Sequence, residues 1–221
     1  MSSESSRSRG WARGSSPASG PKGESSTEIG VVSRPHPGFI ENGDAYLIQD
    51  HEDSSVLVAV ADGLGHGPEA AAASQAAIAF LTSHPRRELD DLLRGCHHRL
   101  RGTRGAAVAL ARIDLAHDRL SYCGVGNIEA RVVGHAPTRP ISYNGIVGAI
   151  LPHFRVFEFP FQPHDLLFLH SDGISARFDL DDPPGLSAQP AQLIAETIAR
   201  NWARAHDDAT IIVVRHTGDR P

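Results

Sequence analysis

The stretch VAVADGLGHGPEAAAA, Val58 to Ala73, decides how this chain is read. Val58–Ala61 are apolar and strand-forming, and Asp62 stands where the strand ends. Glycines occupy positions 63, 65 and 67, then Pro68, Glu69 and a run of alanines open a helix pattern. Proline suits a first helical turn and Glu69 suits the positive helix end. The bland reading is an Asp-Gly turn ahead of a closely packed helix. A dinucleotide loop needs G-x-G-x-x-G, and Pro68 stands at the third glycine position. The ATP lid of histidine-kinase-like ATPases reads D-x-G-x-G, and here Leu64 and His66 occupy both glycine positions. The remaining reading is a metal site. A strand-end carboxylate can bridge two divalent ions, and the next carbonyl can complete the shell where glycine removes the Cβ. One aspartate cannot hold two ions, so this reading predicts acidic residues at other strand ends.

They are present. HSDGI places Asp172 directly after the apolar run DLLFLHS, again before a glycine, and HDDAT places Asp207 and Asp208 just ahead of an apolar run. NGDAY places Asp44 at the start of another strand pattern. Each alone is explained as a turn residue or helix cap; four in this order make a specific pattern. The candidate ligands are all oxygens, which suits Mg²⁺ or Mn²⁺ rather than zinc.

The surrounding chain supports one domain. Its 221 residues are 40% hydrophobic and 21% charged, ordinary values for a globular protein. A net charge of -5 gives no reason to expect a nucleic-acid or membrane partner. No apolar run approaches the roughly 20 residues of a membrane span. Residues 1–27 are Ser, Gly, Arg and Pro without periodicity, so a disordered tail is expected there and the domain over 28–217. The tail lacks the apolar core of a secretory signal, so a cytoplasmic location is expected. Cys96 and Cys123 fall in a helix-like and a strand-like segment and read as small buried hydrophobes. Most of the 13 histidines read as surface residues. Strand patterns at 28–34, 45–50 and 54–62 precede helix patterns at 67–82 and 88–101. A three-strand meander over 104–134 follows, then strands at 155–161 and 165–172, a helix at 188–204 and a last strand at 208–215. Strands in short succession favour antiparallel sheets with helices outside, an α+β class.

With all the motifs assembled, NGDAY, VAVADGLGHG, RGAAVALARID, LSYCGVGNIEARV, LLFLHSDGI and HDDATIIVV, the chain resembles the metal-dependent protein phosphatases of the PPM (type 2C) family. It is most similar to their compact bacterial SpoIIE/RsbX-like branch. The resemblance implies an α-β-β-α sandwich of two antiparallel sheets flanked by helices, with two Mn²⁺ or Mg²⁺ ions at one end. Asp62 would bridge them and the Gly63 carbonyl would bind one. Asp172 and Asp207 would hold the second ion, and Asp44 would act directly or through water. Asp207 rather than Asp208 matches the family motif, and Asp208 would fix the loop. The implied activity is hydrolysis of phosphoserine and phosphothreonine by a metal-activated water, with no covalent nucleophile. The branch further implies phosphorylated STAS-domain proteins of a partner-switching or stressosome pathway as substrates. The glycines after Asp62 would keep the cleft floor low for a bulky phosphoprotein.

Three departures stand out. Larger eukaryotic members carry an acidic pair where Gly43-Asp44 stands. They place histidine directly after Asp-Gly, where this chain has Leu64, leaving His66 as a candidate general acid or helix cap. Their phosphate-gripping arginine has no counterpart at Phe39, leaving Arg34 as the candidate. The alternative function is a catalytically weak phosphoprotein-binding module on the same fold. The gathered carboxylates weigh against it, because they repel one another unless metal is bound.

Overall fold

The computed structural model describes residues 26–218. Nine strands and three helices run in the order β1 Thr27–Arg34, β2 Asp44–Asp50, β3 Ser55–Gly63, α1 Pro68–Ser83, α2 Leu89–Arg99, β4 Ala106–Asp114, β5 Arg119–Val125, β6 Glu129–Val133, β7 Phe157–Pro160, β8 Leu166–His170, α3 Ala191–Trp202 and β9 Ala209–His216. The tail expected over 1–27 lies outside the described residues as far as residue 25. Thr27 does not belong to it: it opens β1 opposite His216. Pairing with the last strand, which is remote in sequence, orders a residue whose local composition gave no such signal.

β3 shows why the sandwich forms. Val56, Val58 and Val60 point one way and Leu57, Ala59 and Ala61 the other, and all six are buried. A strand covered on both faces reads as a continuous apolar run. Its first face packs with Leu167, Leu169, Ile212 and Val214 in the core between the sheets. Its second face meets Leu81 of α1 with Leu92 and Leu93 of α2. The other sheet repeats the scheme, with Phe168, Ile211 and Val213 against Ile194 and Ile198 of α3. Each buried Leu, Ile or Phe contributes about 1.5–3 kcal/mol of transfer free energy. The layers are therefore α1/α2, the sheet β2-β3-β4-β5-β7, the sheet β1-β9-β8-β6, and α3, all strand pairs being antiparallel.

The expected three-strand meander is broken. β4 and β5 form a hairpin, but β6 leaves that sheet and pairs with β8. The edge of β5 is taken by β7, from Arg119↔Pro160 to Tyr122↔Phe157. Ala130 and Val132 of β6 bury themselves in the inter-sheet core instead. Cys96 and Cys123 are free and buried, and burial pushes the Cys96 thiol up to about 12. Among the histidines, His170 and His216 depart from the surface expectation and are buried. Among the described residues no helix is long and apolar enough to cross a membrane.

Candidate metal centre

Four strand ends from the two sheets bring the carboxylates together. In the β2–β3 ladder Asp44 and Asp62 are direct partners. Directly opposite residues share a sheet face, with Cβ atoms about 4.5–5.5 Å apart. In the other sheet, β8 ends at His170 and β9 begins at Ala209, so Asp172 and the Asp207-Asp208 pair flank one edge of that ladder. Ser171 ties the sheets together at this point. Its hydroxyl donates to Asp44 Oδ2 at 2.6 Å and accepts the Thr210 amide at 3.0 Å. Asn127, in the GVGN motif after β5, donates from Nδ2 to Asp172 Oδ2 at 2.8 Å and orients that carboxylate.

The electrostatics are those of crowded, partly desolvated acids. Burial raises Asp44 to about 7, Asp208 and Asp172 adding repulsion while the Ser171 and Thr210 hydroxyls draw it down. Burial also raises Asp62 to about 8, with repulsion from Asp44, Asp172, Asp207 and Asp208. Asp207 is raised by burial and by Asp172. Asp44 Oδ1 is buried and accepts no hydrogen bond from the described residues, although a buried polar atom normally finds a partner. A divalent cation fits this arrangement: it supplies the missing partner, relieves the repulsion, and favours an all-oxygen donor set.

Gly63 owes its presence to helix packing. A Cβ there would overlap the Ala70 carbonyl of α1, so the missing side chain lets the helix sit against β3. Sequence reasoning missed this packing role. Gly67, at φ +76°, has the Phe39 ring where a Cβ would project. A Cβ on Gly43 would lie 2.6 Å from Asp208 Oδ2, so a side chain there would have to displace the Asp208 carboxylate.

The family model for stage II sporulation protein E (SpoIIE) matches residues 52–217. The chain belongs to the SpoIIE family. With it come the type 2C fold and the metal-dependent serine/threonine phosphatase class of the PPM enzymes. The phosphoserine phosphatase RsbX of Bacillus subtilis (strain 168) is 23% identical over 137 residues, 60% of this chain and 67% of RsbX. A solved structure of RsbX in complex with magnesium superposes with a TM-score of 0.76 at 19% identity, covering 86% of this chain and 94% of that one. A chain from a structure described as the bacterial stressosome, a modular system adapted to control secondary messenger signalling, gives 0.81 at 35% identity, covering 86% and 99%. The catalytic domain of the serine/threonine phosphatase PstP, in complex with two manganese ions, gives 0.66 at 18% identity, covering 86% and 97%.

Within this SpoIIE-family domain His66 and Arg34 take different places. His66 does not cap α1, whose N-cap Gly67 makes no side-chain cap bond. Its Nδ1 instead faces Asp208 Oδ2 at 3.1 Å and Asp207 Oδ1 at 3.8 Å, and ligand atoms of these three residues lie within 4.8 Å of one another. Arg34, at the site end of β1, donates to the Arg204 carbonyl at 2.6 Å. Sequence reasoning missed Ser171, Asn127 and Arg104. The first two lay inside quoted motifs, SDG and GVGN, but their partners lie 127 and 45 residues away in the chain. Arg104 rests over Gly65 and forms an ion pair with Glu69 of the first turn of α1.

Asp208 is the tie of the loop between β1 and β2. Its Oδ1 accepts the amides of His36 at 2.8 Å and Gly43 at 3.0 Å, near the two ends of that loop. Asp208→Ala removes an acceptor from a buried amide, at a cost of about 1–3 kcal/mol. Amide hydrogen exchange at His36 and Gly43 is expected to accelerate at least about fivefold in this variant, while the β3 amides stay protected. Unchanged exchange at both positions would show that the loop is held by other contacts.

Proposed function

We propose that the carboxylates of Asp44, Asp62, Asp172 and Asp207, with the Gly63 carbonyl, hold two Mg²⁺ or Mn²⁺ ions. We further propose that the substrates are phosphorylated STAS-domain proteins of a bacterial partner-switching or stressosome pathway, acted on in the cytoplasm. The observation that carries the metal assignment is Asp44 Oδ1, buried with no hydrogen-bond donor among the described residues, in a cluster of carboxylates where burial and neighbouring charge raise Asp44 and Asp62. The substrate assignment is supported by the similarity to RsbX and to the stressosome chain.

When bound, the ions supply Lewis-acid activation of a water and neutralise charge on the phosphoryl group. The chain's own residues arrange this. Ser171 and Asn127 fix Asp44 and Asp172 by hydrogen bonds, so the ligands are set before substrate arrives. Asp208 holds the β1–β2 loop and the His66 ring. Asp207, half-buried, completes the acidic cluster on the β9 side. None of these steps requires a serine or cysteine nucleophile, in keeping with the positioning and charge stabilisation that dominate phosphoryl transfer.

The test incubates the protein with the phosphorylated STAS-domain proteins of its host, with Mn²⁺, with Mg²⁺ and with EDTA. Phosphate release from at least one of them at catalytic ratios, abolished by EDTA, is the expected result. Hydrolysis of p-nitrophenyl phosphate without release from any STAS protein would remove the substrate assignment and leave the metal assignment standing. Tight binding of a phospho-STAS protein without turnover would favour the binding-module function.

A further inference from the structure

At the β9 side of the acidic cluster, one imidazole meets two carboxylates. His66 Nδ1 lies 3.1 Å from Asp208 Oδ2 and 3.8 Å from Asp207 Oδ1, and a ligand atom from each residue falls within 4.8 Å of the others. The other histidine–carboxylate contacts, His117 with Asp114, His135 with Asp165 and His216 with Asp118, bring a single acid each. A four-coordinate zinc ion, with bonds of about 2.0–2.1 Å, holds its ligand atoms about 3.3 Å apart. The two separations from Nδ1 bracket that value.

Contacts outside the trio set its geometry. The Asp208 side chain is 4% exposed, and its Oδ1 accepts the His36 and Gly43 amides while Oδ2 faces His66. The His36 ring packs against the His66 ring with centroids 4.5 Å apart. His66 itself is 39% exposed, so water can complete the shell of an ion held there. A hydrogen bond from Nδ1 to Asp208 would satisfy one carboxylate, whereas a cation joins both. With Oδ1 of Asp207 turned to His66, its other oxygen is left for the ion proposed with Asp172.

We propose that His66, Asp207 and Asp208 form a separate site for a borderline transition ion of the Zn²⁺ class. Imidazole nitrogen suits such ions, whereas Mg²⁺ prefers oxygen ligands and keeps several waters. Binding at Nδ1 uses the neutral ring with its proton on Nε2. The ion ties the glycine loop to the start of β9 and, through Asp208 Oδ1, to the loop between β1 and β2. This site goes beyond the phosphatase reading and needs no turnover to exist.

Co²⁺ stands in for Zn²⁺ in the test, because its visible absorption reports the number and type of its ligands. The full chain is titrated with Co²⁺ in excess Mg²⁺, which fills the oxygen sites, and Zn²⁺ is then added in competition. Wild-type protein is expected to bind one Co²⁺ with the intense bands of a four-coordinate ion, and Zn²⁺ to displace it. His66→Ala is expected to weaken that binding at least about a hundredfold, beyond what losing an outer-shell partner typically costs. His66→Asn, which keeps a hydrogen-bond donor facing Asp208, is a second variant with the same expectation. Asp62→Asn, which alters the all-oxygen centre, is expected to retain the bands. A wild type without them overturns the proposal, and so does Co²⁺ binding retained in both His66 variants. Loss of the bands in Asp62→Asn would place the Co²⁺ among the other carboxylates and overturn it too.

Discussion

Asp62→Asn is expected to lower phosphatase turnover by at least about a thousandfold while making the metal-free protein more stable. The first effect follows from the proposed bridging role: asparagine keeps the shape but removes the charge shared between two ions, and both water activation and charge neutralisation depend on that ligand. The second follows from the crowding. Asp62 is raised to about 8 by burial and by four neighbouring carboxylates. Near pH 8 a neutral amide relieves at least about 2 kcal/mol of desolvation and repulsion. For a domain of this size that corresponds to a rise in midpoint on the order of 5 °C. The opposite signs make the pair of measurements diagnostic, because a variant that merely misfolds loses both activity and stability. Retained turnover would remove Asp62 from the proposed ligand set.

Metal is expected to stabilise the protein strongly at pH 8 and weakly at pH 5.5. With folded-state values of about 7 for Asp44 and about 8 for Asp62, against a reference of 3.8, the folded metal-free protein holds more protons than the unfolded chain between about pH 4 and 8. Its stability therefore falls as pH rises through that window. Binding must expel those protons, so metal affinity drops about tenfold per pH unit for each proton displaced. Thermal midpoints with and without millimolar Mn²⁺, at pH 5.5 and at pH 8, check this. The Mn²⁺-induced rise should be several degrees larger at pH 8, and in excess metal the decline of stability with pH should flatten. Equal shifts at both values would mean that ions bind elsewhere than at the raised carboxylates.

Much of this was legible in the chain because the signals are local. A strand buried on both faces reads as Ser55–Ala61, and a Pro-opened helix begins at Pro68, where the pattern places its first turn. Among the described residues, all nine strands and the three α-helices fall on segments that the sequence patterns mark. The aspartates are legible for the same reason, since each sits at the end of such a run. Less legible was the route of β6. Its own residues, EARVV, suit either sheet, and the choice depends on β7 occupying the edge of β5.

What the sequence determined by itself is which side chains carry charge and where each strand stops, because both depend on residues adjacent in the chain. The tertiary structure decided which of those ends meet. Asp44 and Asp62 face each other through one sheet, Asp172 and Asp207 arrive from the other, and Ser171 joins the two by a hydrogen bond spanning 127 residues. It also decided that Gly63 serves helix packing, and that Asp208 anchors the loop between β1 and β2. Burial and neighbouring charge then raise Asp44, Asp62 and Asp207. That effect belongs to the assembled strand ends, since a lone aspartate beside a glycine titrates as an ordinary acid.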